Sequence, residues 1–347
     1  MSPLLLNSPQ PMPSSTVKRT TSVNSRILLV LLLLAIGAFA VALSAGSVSV
    51  DWASVVEGLR GRNLSVDYAV VFQLRLPRAA TAFVVGGMLG LAGVLMQILL
   101  RNPLADPYVL GVSGGAAVAA LLAILLGWHV AGISGAAAVG ALASMFLVFV
   151  LSRGSGDWST TRLLLTGVVL ASGWGAVVSF ILAVSPDAHV RGMLFWLMGD
   201  ISETFPGWIR LGLLIVSLLV AFGFARSLNL LSLGELRAES LGVNTTLLRV
   251  GLFFMAGLLT ASAVTLAGAI GFVGLVVPHM VRLWGGSDHR LVLPGSVLLG
   301  GVLLVLAEAA ARTVLAPNQL PVGVITAFIG VPVFLYLLQR DRAGGRA

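Results

Sequence analysis

Arg249 to Arg282 reads RVGLFFMAGLLTASAVTLAGAIGFVGLVVPHMVR, and the 32 residues between the two arginines carry no charge. As one helix they would run about 48 Å, at about 1.5 Å per residue. The hydrocarbon core of a bilayer is about 30 Å thick and takes about 20 residues to cross. The stretch is long for one span and short for two. Two fit only by borrowing from Asn244–Leu248 and Leu283–Gly286.

Outward from this stretch, apolar runs between charges give spans near 27–45, 79–100, 107–126, 133–151, 163–184, 207–225, 291–311 and 322–338. The count is therefore nine or ten. Of the 347 residues, 58% are hydrophobic and 10% charged, with a mean hydropathy of +1.02. Soluble domains carry about 25% charged residues, so the composition excludes one. The 41 glycines suit a membrane, where glycine lets helix backbones approach closely. Cysteine is absent, which excludes disulfides and thiolate metal sites.

The net charge of +8 reads as a topology signal and not as a nucleic-acid one. With ten spans and the N-terminus inside, cytoplasmic segments hold Lys18, Arg19, Arg26, Arg101, Arg153, Arg162, Arg226, Arg237, Arg249, Arg282, Arg290, Arg340, Arg342 and Arg346. Exterior segments hold Arg60, Arg62, Arg75, Arg78, Arg191, Arg210 and Arg312. This bias agrees with the positive-inside rule. The expected fold is an all-α polytopic membrane protein of ten transmembrane helices, with N- and C-termini cytoplasmic. Residues 1–25, rich in Ser, Pro and Thr, read as a disordered cytoplasmic tail. Residues 26–340 form the transmembrane domain and 341–347 a second tail. The apolar run after Arg26 is long for a cleavable signal peptide, so an uncleaved first span is expected.

Chemistry is sparse. A Walker loop needs a lysine, and the only one, Lys18, lies in the tail. Neither an HExxH nor a Ser-His-Asp grouping stands out. One intramembrane carboxylate, Glu308, precedes Arg312 by four residues, the spacing of a helical ion pair. Ion-coupled transport leaves buried ionisable groups along its path, and a stand-alone secondary transporter shows interrupted segments in matching halves. Neither pattern is seen, which weakens that alternative.

Two segments break the membrane pattern. In RLPR, Arg75–Arg78, Pro77 suits a helix start, but the arginines oppose the positive end of the helix dipole. They either snorkel to lipid phosphates or form, with Arg312, a basic patch that steers an acidic partner. LRNPLADPYVLGVSGGAA, Leu100–Ala117, closes the second span with two prolines, Asn102 and Asp106, the residues of a tight, rigid turn.

That turn, with RLPR and GGMLGLAGVLMQ before it, resembles the bacterial FecCD-type permeases for ferric siderophores, haem and cobalamin, the membrane subunits of type II ABC importers. Further matches are STTRLLLTGVVL at 159–170, FWLMGDIS at 195–202 and LGELRAESLGVN at 233–244. LAGAIGFVGLVVPHMVRL at 266–283, DHR at 288–290 and LPVGVITAFIGVPVFLYLL at 320–338 complete the set. The resemblance covers roughly residues 26–340. It departs in the long Ser/Pro-rich tail and in Asp200, where an uncharged residue is commoner.

The resemblance implies ten helices per chain and a permease homodimer in the bacterial inner membrane. It also implies two cytoplasmic ATPase subunits below and a periplasmic or lipid-anchored substrate-binding protein on the outer face. Two spans would then meet near Leu266–Ala269. Asn102 and Leu104 would form one cytoplasmic gate element, and Thr160 and Thr161 another. Residues 233–244 would face the ATPase through Gly234, Glu235, Arg237, Glu239, Leu241 and Gly242. Arg75, Arg78 and Arg312 match positions that pair with acidic residues of the binding protein. The chain itself is expected to be no enzyme and to hold no metal or cofactor, with ATP and Mg²⁺ bound by the partner ATPase. None of His129, His189, His279 and His289 is placed to make an axial haem-ligand pair. The substrate expected is a bulky metal chelate, haem or ferric siderophore before cobalamin.

Overall fold

The structure is a computed structural model and describes residues 14–46, 49–60, 66–153, 159–201 and 207–344. It is 84% helix, without a strand among the described residues. The first apolar run lies in α1 (Ser14–Ser44), followed by α2 (Trp52–Leu59) and α3 (Val66–Ala69). A π-helical turn, Val70–Arg75, joins α3 to α4 (Leu76–Leu99), and a 3-10 turn, Pro107–Leu110, leads into α5 (Val112–Leu125). Then come α6 (Val130–Ser152), α7 (Thr160–Val184), α8 (Asp187–Met198) and α9 (Trp208–Gly223). The chain bends by 63° into α10 (Ala225–Ser232), which leads to α11 (Glu235–Ser240) and α12 (Thr245–Ala267). Last are α13 (Val273–Gly285), α14 (His289–Thr313) and α15 (Val322–Gly344).

Among the described residues, six helices are long and apolar enough to cross a bilayer: Asn24–Ser44, Val66–Leu99, Val130–Ser152, Thr160–Val184, Thr245–Ala267 and His289–Thr313. The bent pair α9–α10 is a seventh if it counts as one span, and α5 and Val322–Leu337 are shorter apolar helices. The protein is a multi-pass membrane protein.

α4 is the axis of the bundle and almost wholly buried, with α14, α12 and α13 packed round it. Lipid removes most of the hydrophobic gain between helices, so close backbone packing has to hold them together. A Cβ added to Gly86 would stand 2.1 Å from the Gly300 carbonyl oxygen, and one on Gly300 would stand 2.3 Å from that of Gly86. By contrast, α7 is almost wholly exposed within the single chain.

The charge-free stretch from Arg249 to Arg282 divides in two. α12 ends at Ala267, the chain reverses through Gly268 (φ +66°) and Phe272 (φ +70°), and α13 follows. Pro77 stands in the first turn of α4, as the sequence anticipates, but α4 is not where the helix begins. The helix runs unbroken from Val66 to Leu99, because the π turn widens the backbone ahead of the proline and Leu76 N–H donates to Val71 O. Helix also reaches back to Ser14 and on to Gly344, into segments expected as tails, while 1–13 and 345–347 lie outside the described residues. Between α7 and α9 lies α8, whose Met193 is fully buried against Leu121 and Ile181.

Candidate gate and coupling site

The turn after α4 is fixed at both ends. Arg101 N–H donates to Ile98 O at 3.2 Å and Asn102 N–H to Gln97 O at 3.1 Å. This is the bond pair of a Schellman cap, whose left-handed residue is usually glycine. Here it is Arg101, at φ +48°. Asn102 Oδ1 accepts from Leu104 N–H at 2.9 Å, so the two expected gate residues form one small turn. Both are exposed.

Asp106 then caps the 3-10 turn, its Oδ1 accepting from Tyr108 N–H at 2.8 Å. Burial pushes the Asp106 carboxyl up to about 6, against the lowering effect of that hydrogen bond. Tyr108 OH accepts from Ile270 N–H at 3.0 Å, which ties the turn to the reversal between α12 and α13. Gln97, in the last turn of α4, accepts from Arg282 and donates to the Gly274 and Leu275 carbonyls at 3.4 and 3.3 Å.

Thr160 and Thr161 open α7. Thr160 Oγ1 accepts from Arg249 Nη2 at 2.7 Å. The other terminal nitrogen of Arg249 donates to Glu235 Oε1 at 2.7 Å. Glu235 Oε2 in turn accepts from Arg101 Nη2 at 3.0 Å. One carboxylate therefore joins the Arg101 turn, α12 and α7.

Glu235 is the first residue of α11, where a negative charge suits the helix dipole. Gly234 (φ +123°) and Gly242 (φ +84°) bracket the helix in backbone conformations that side chains resist. Glu239 Oε1 accepts from Thr245 Oγ1 at 2.5 Å, fastening the far end to α12. Arg237 is exposed, and Leu236 and Leu241 stand 84% and 64% exposed.

On the other face, the three arginines separate. Arg75 is buried, and its Nη1 donates to the Leu43 and Ser44 carbonyls at 2.7 and 3.0 Å. Arg312 donates to the Ala42 carbonyl at 3.0 Å and pairs with Glu308 at 2.7 Å, the i,i+4 contact its spacing anticipates. Both close the C-terminal end of α1, where the last carbonyls lack helical partners. Arg78 is half-buried and donates to Gln319 Oε1 at 3.3 Å.

The sequence reading treated Arg101 and Arg249 as topology charges only. Arg249 carried a signal, since it lies in the second turn of α12, near the end of a helix that disfavours cations. Of the histidines, His289 is held by Asn229, with Nδ1 2.5 Å from Oδ1. Among the described residues, no three His, Asp or Glu side chains stand close enough to hold a metal ion.

Residues 30–340 match the family model described as the FecCD transport family. The chain belongs to that family. It is 38% identical over 322 residues to the vitamin B12 import system permease protein BtuC of Shigella boydii, covering 92% of this chain and 96% of that one. It is 39% identical over 288 residues to the uncharacterized ABC transporter permease protein YvrB of Bacillus subtilis, covering 80% of this chain and 81% of that one. Among solved structures it matches an ABC transporter assigned to the metal-chelate type, in an inward-facing conformation. The TM-score there is 0.78 at 32% identity, over 91% of this chain and 99% of that chain. PsaBC from Streptococcus pneumoniae in complex with Fab shares the fold, with a TM-score of 0.52 at 18% identity over 83% of this chain and 95% of that one. This FecCD-family chain is an ABC importer permease.

Proposed function

We propose that the chain is the membrane-spanning permease subunit of an ATP-driven importer that carries a bulky metal chelate from a substrate-binding protein into the cytoplasm. The observation that carries this reading is α11. It is a short helix bracketed by two positive-φ glycines, with Leu236 and Leu241 exposed, and it occupies the segment that resembles the family's ATPase-facing element.

The parts then take these roles. Two copies meet around the pathway, and the exposed apolar α7 supplies surface for that contact and for lipid. Ten crossings are made by α1, α4 with its π-turn extension, α5, α6, α7, α9, α12, α13, α14 and α15, with both termini cytoplasmic in the bacterial inner membrane. Asn102 and Leu104 on the turn, and Thr160 and Thr161 on α7, close the path behind the ligand. Gly234 to Gly242 receives the ATPase, which binds ATP and Mg²⁺ and does the only chemistry. The binding protein docks on the outer face, where Arg78 is the arginine least committed to holding α1.

The substrate class is a metal chelate. Haem and ferric siderophores enter on family breadth, and cobalamin stands level with them, because the relatives matched over most of the chain include vitamin B12 permeases. The test is growth of a strain lacking this chain on haem, on ferric siderophores and on limiting cobalamin, each as sole source. A defect on one source, restored by the wild-type chain and not by Asn102→Arg, is the expected result. Normal growth on all three contradicts the reading.

A further inference from the structure

We propose that Glu235 is the positioning residue through which α11 holds both gate elements at once, with Arg101 and Arg249 as its two arms. The inference rests on the importer reading above and adds the means by which movement of α11 reaches the gates. One oxygen of Glu235 takes Arg101, the residue before Asn102, at 3.0 Å. The other takes Arg249 at 2.7 Å, and Arg249 reaches Thr160 at 2.7 Å. The guanidinium spreads its donors over separate nitrogens in a fixed fork, so Nη1 serves the carboxylate and Nη2 the hydroxyl; a lysine ammonium gathers its three donors on one nitrogen.

Stability does not account for the Arg101 arm. The side chains of Arg101 and Glu235 are 42% and 33% exposed, and exposed ion pairs contribute about 0–1 kcal/mol. Arg101 also sits in the left-handed region, which costs a residue with a Cβ about 1–2 kcal/mol. Glycine would make the same cap without strain and without a guanidinium. Strain of this kind is kept where function needs the side chain, and the contact this side chain makes is the single bond from Arg101 Nη2 to Glu235 Oε2. Gly234 and Gly242 leave α11 joined to the spans by two permissive backbone positions, so it can shift as a unit and carry the carboxylate with it.

The chain has no cysteine, so a single introduced thiol is the one labelling site this chain contributes. Leu104→Cys and Thr161→Cys are labelled in the whole complex, with its ATPase and binding protein in lipid vesicles, with and without ATP. In the otherwise unaltered chain, ATP changes both labelling rates. Glu235→Gln cuts the ATP-dependent change at both positions by about fivefold or more, the lower end of ordinary coupling between sites. Arg101→Gly cuts it at 104 and Arg249→Lys at 161, and Arg101→Gly does not lower the thermal midpoint of the chain. A full ATP response at both positions in Glu235→Gln overturns the relay, as does a lowered midpoint in Arg101→Gly. Absence of any ATP response in the unaltered chain overturns the importer reading itself, and the relay with it.

Discussion

Gly86 and Gly300 meet backbone to backbone, each leaving less than 2.4 Å between an added Cβ and the other's carbonyl oxygen. This contact sets the distance between α4 and α14, and α4 carries the Arg101–Asn102 turn at its C-terminal end. Gly300→Val forces the helices apart at a cost of about 1–3 kcal/mol, read as a lowered melting midpoint in detergent. Gly212→Ala, where an added Cβ meets nothing within 4 Å, leaves the midpoint unchanged or raises it. Equal midpoints for the two variants would remove α4–α14 packing from the account.

Arg75 and Arg78 are three residues apart and act differently. Arg75→Met keeps the apolar stem but leaves the Leu43 and Ser44 carbonyls without their donor, costing about 1–3 kcal/mol. Arg78→Glu weakens binding-protein docking, with the loss shrinking as salt rises. Isothermal titration at low and high ionic strength checks the second. Unchanged affinity would take docking away from Arg78.

The Asp106 carboxyl, pushed to about 6 from an ordinary 3.8 by burial, binds more protons folded than unfolded between those values. Stability therefore falls as pH rises through that window and is highest on its acid side. Asp106→Asn keeps an N-cap acceptor for Tyr108 N–H and removes this part of the slope. Melting midpoints from about pH 4 to about pH 7 measure it. An identical slope in both chains would contradict the assignment.

Leu236 on α11 and Leu241 just after it are exposed. Leu236→Asp should leave the melting midpoint within error, because surface substitutions change stability by about 0.5 kcal/mol or less. The same change should abolish co-purification of the partner ATPase. Retained co-purification would place the ATPase contact elsewhere.

The spans were legible because lipid forces apolar length, and the absence of charge between Arg249 and Arg282 limited the choices to one long crossing or two short ones. The gate reading of Asn102, Leu104, Thr160 and Thr161 rests on a resemblance in short motifs, not on chemistry. Three features were not legible. The helix ahead of Pro77 continues because a π turn absorbs the missing donor, and nothing local in VVFQLRLP marks that turn. α8 hides in a short apolar run between α7 and α9. The Glu235 bridge joins residues 134 and 14 positions away, a pairing set by how the turn, α11 and α12 meet in space. Only the cation near the start of α12 hinted at it.

The most direct test of the central claim is uptake by vesicles holding this chain with its ATPase and binding protein, loaded in turn with cobalamin, a ferric siderophore and haem. Accumulation of one chelate that requires ATP and the binding protein, and that Asn102→Arg abolishes, is the predicted result. Accumulation by the chain alone, without an ATPase, would contradict it and restore a stand-alone transporter.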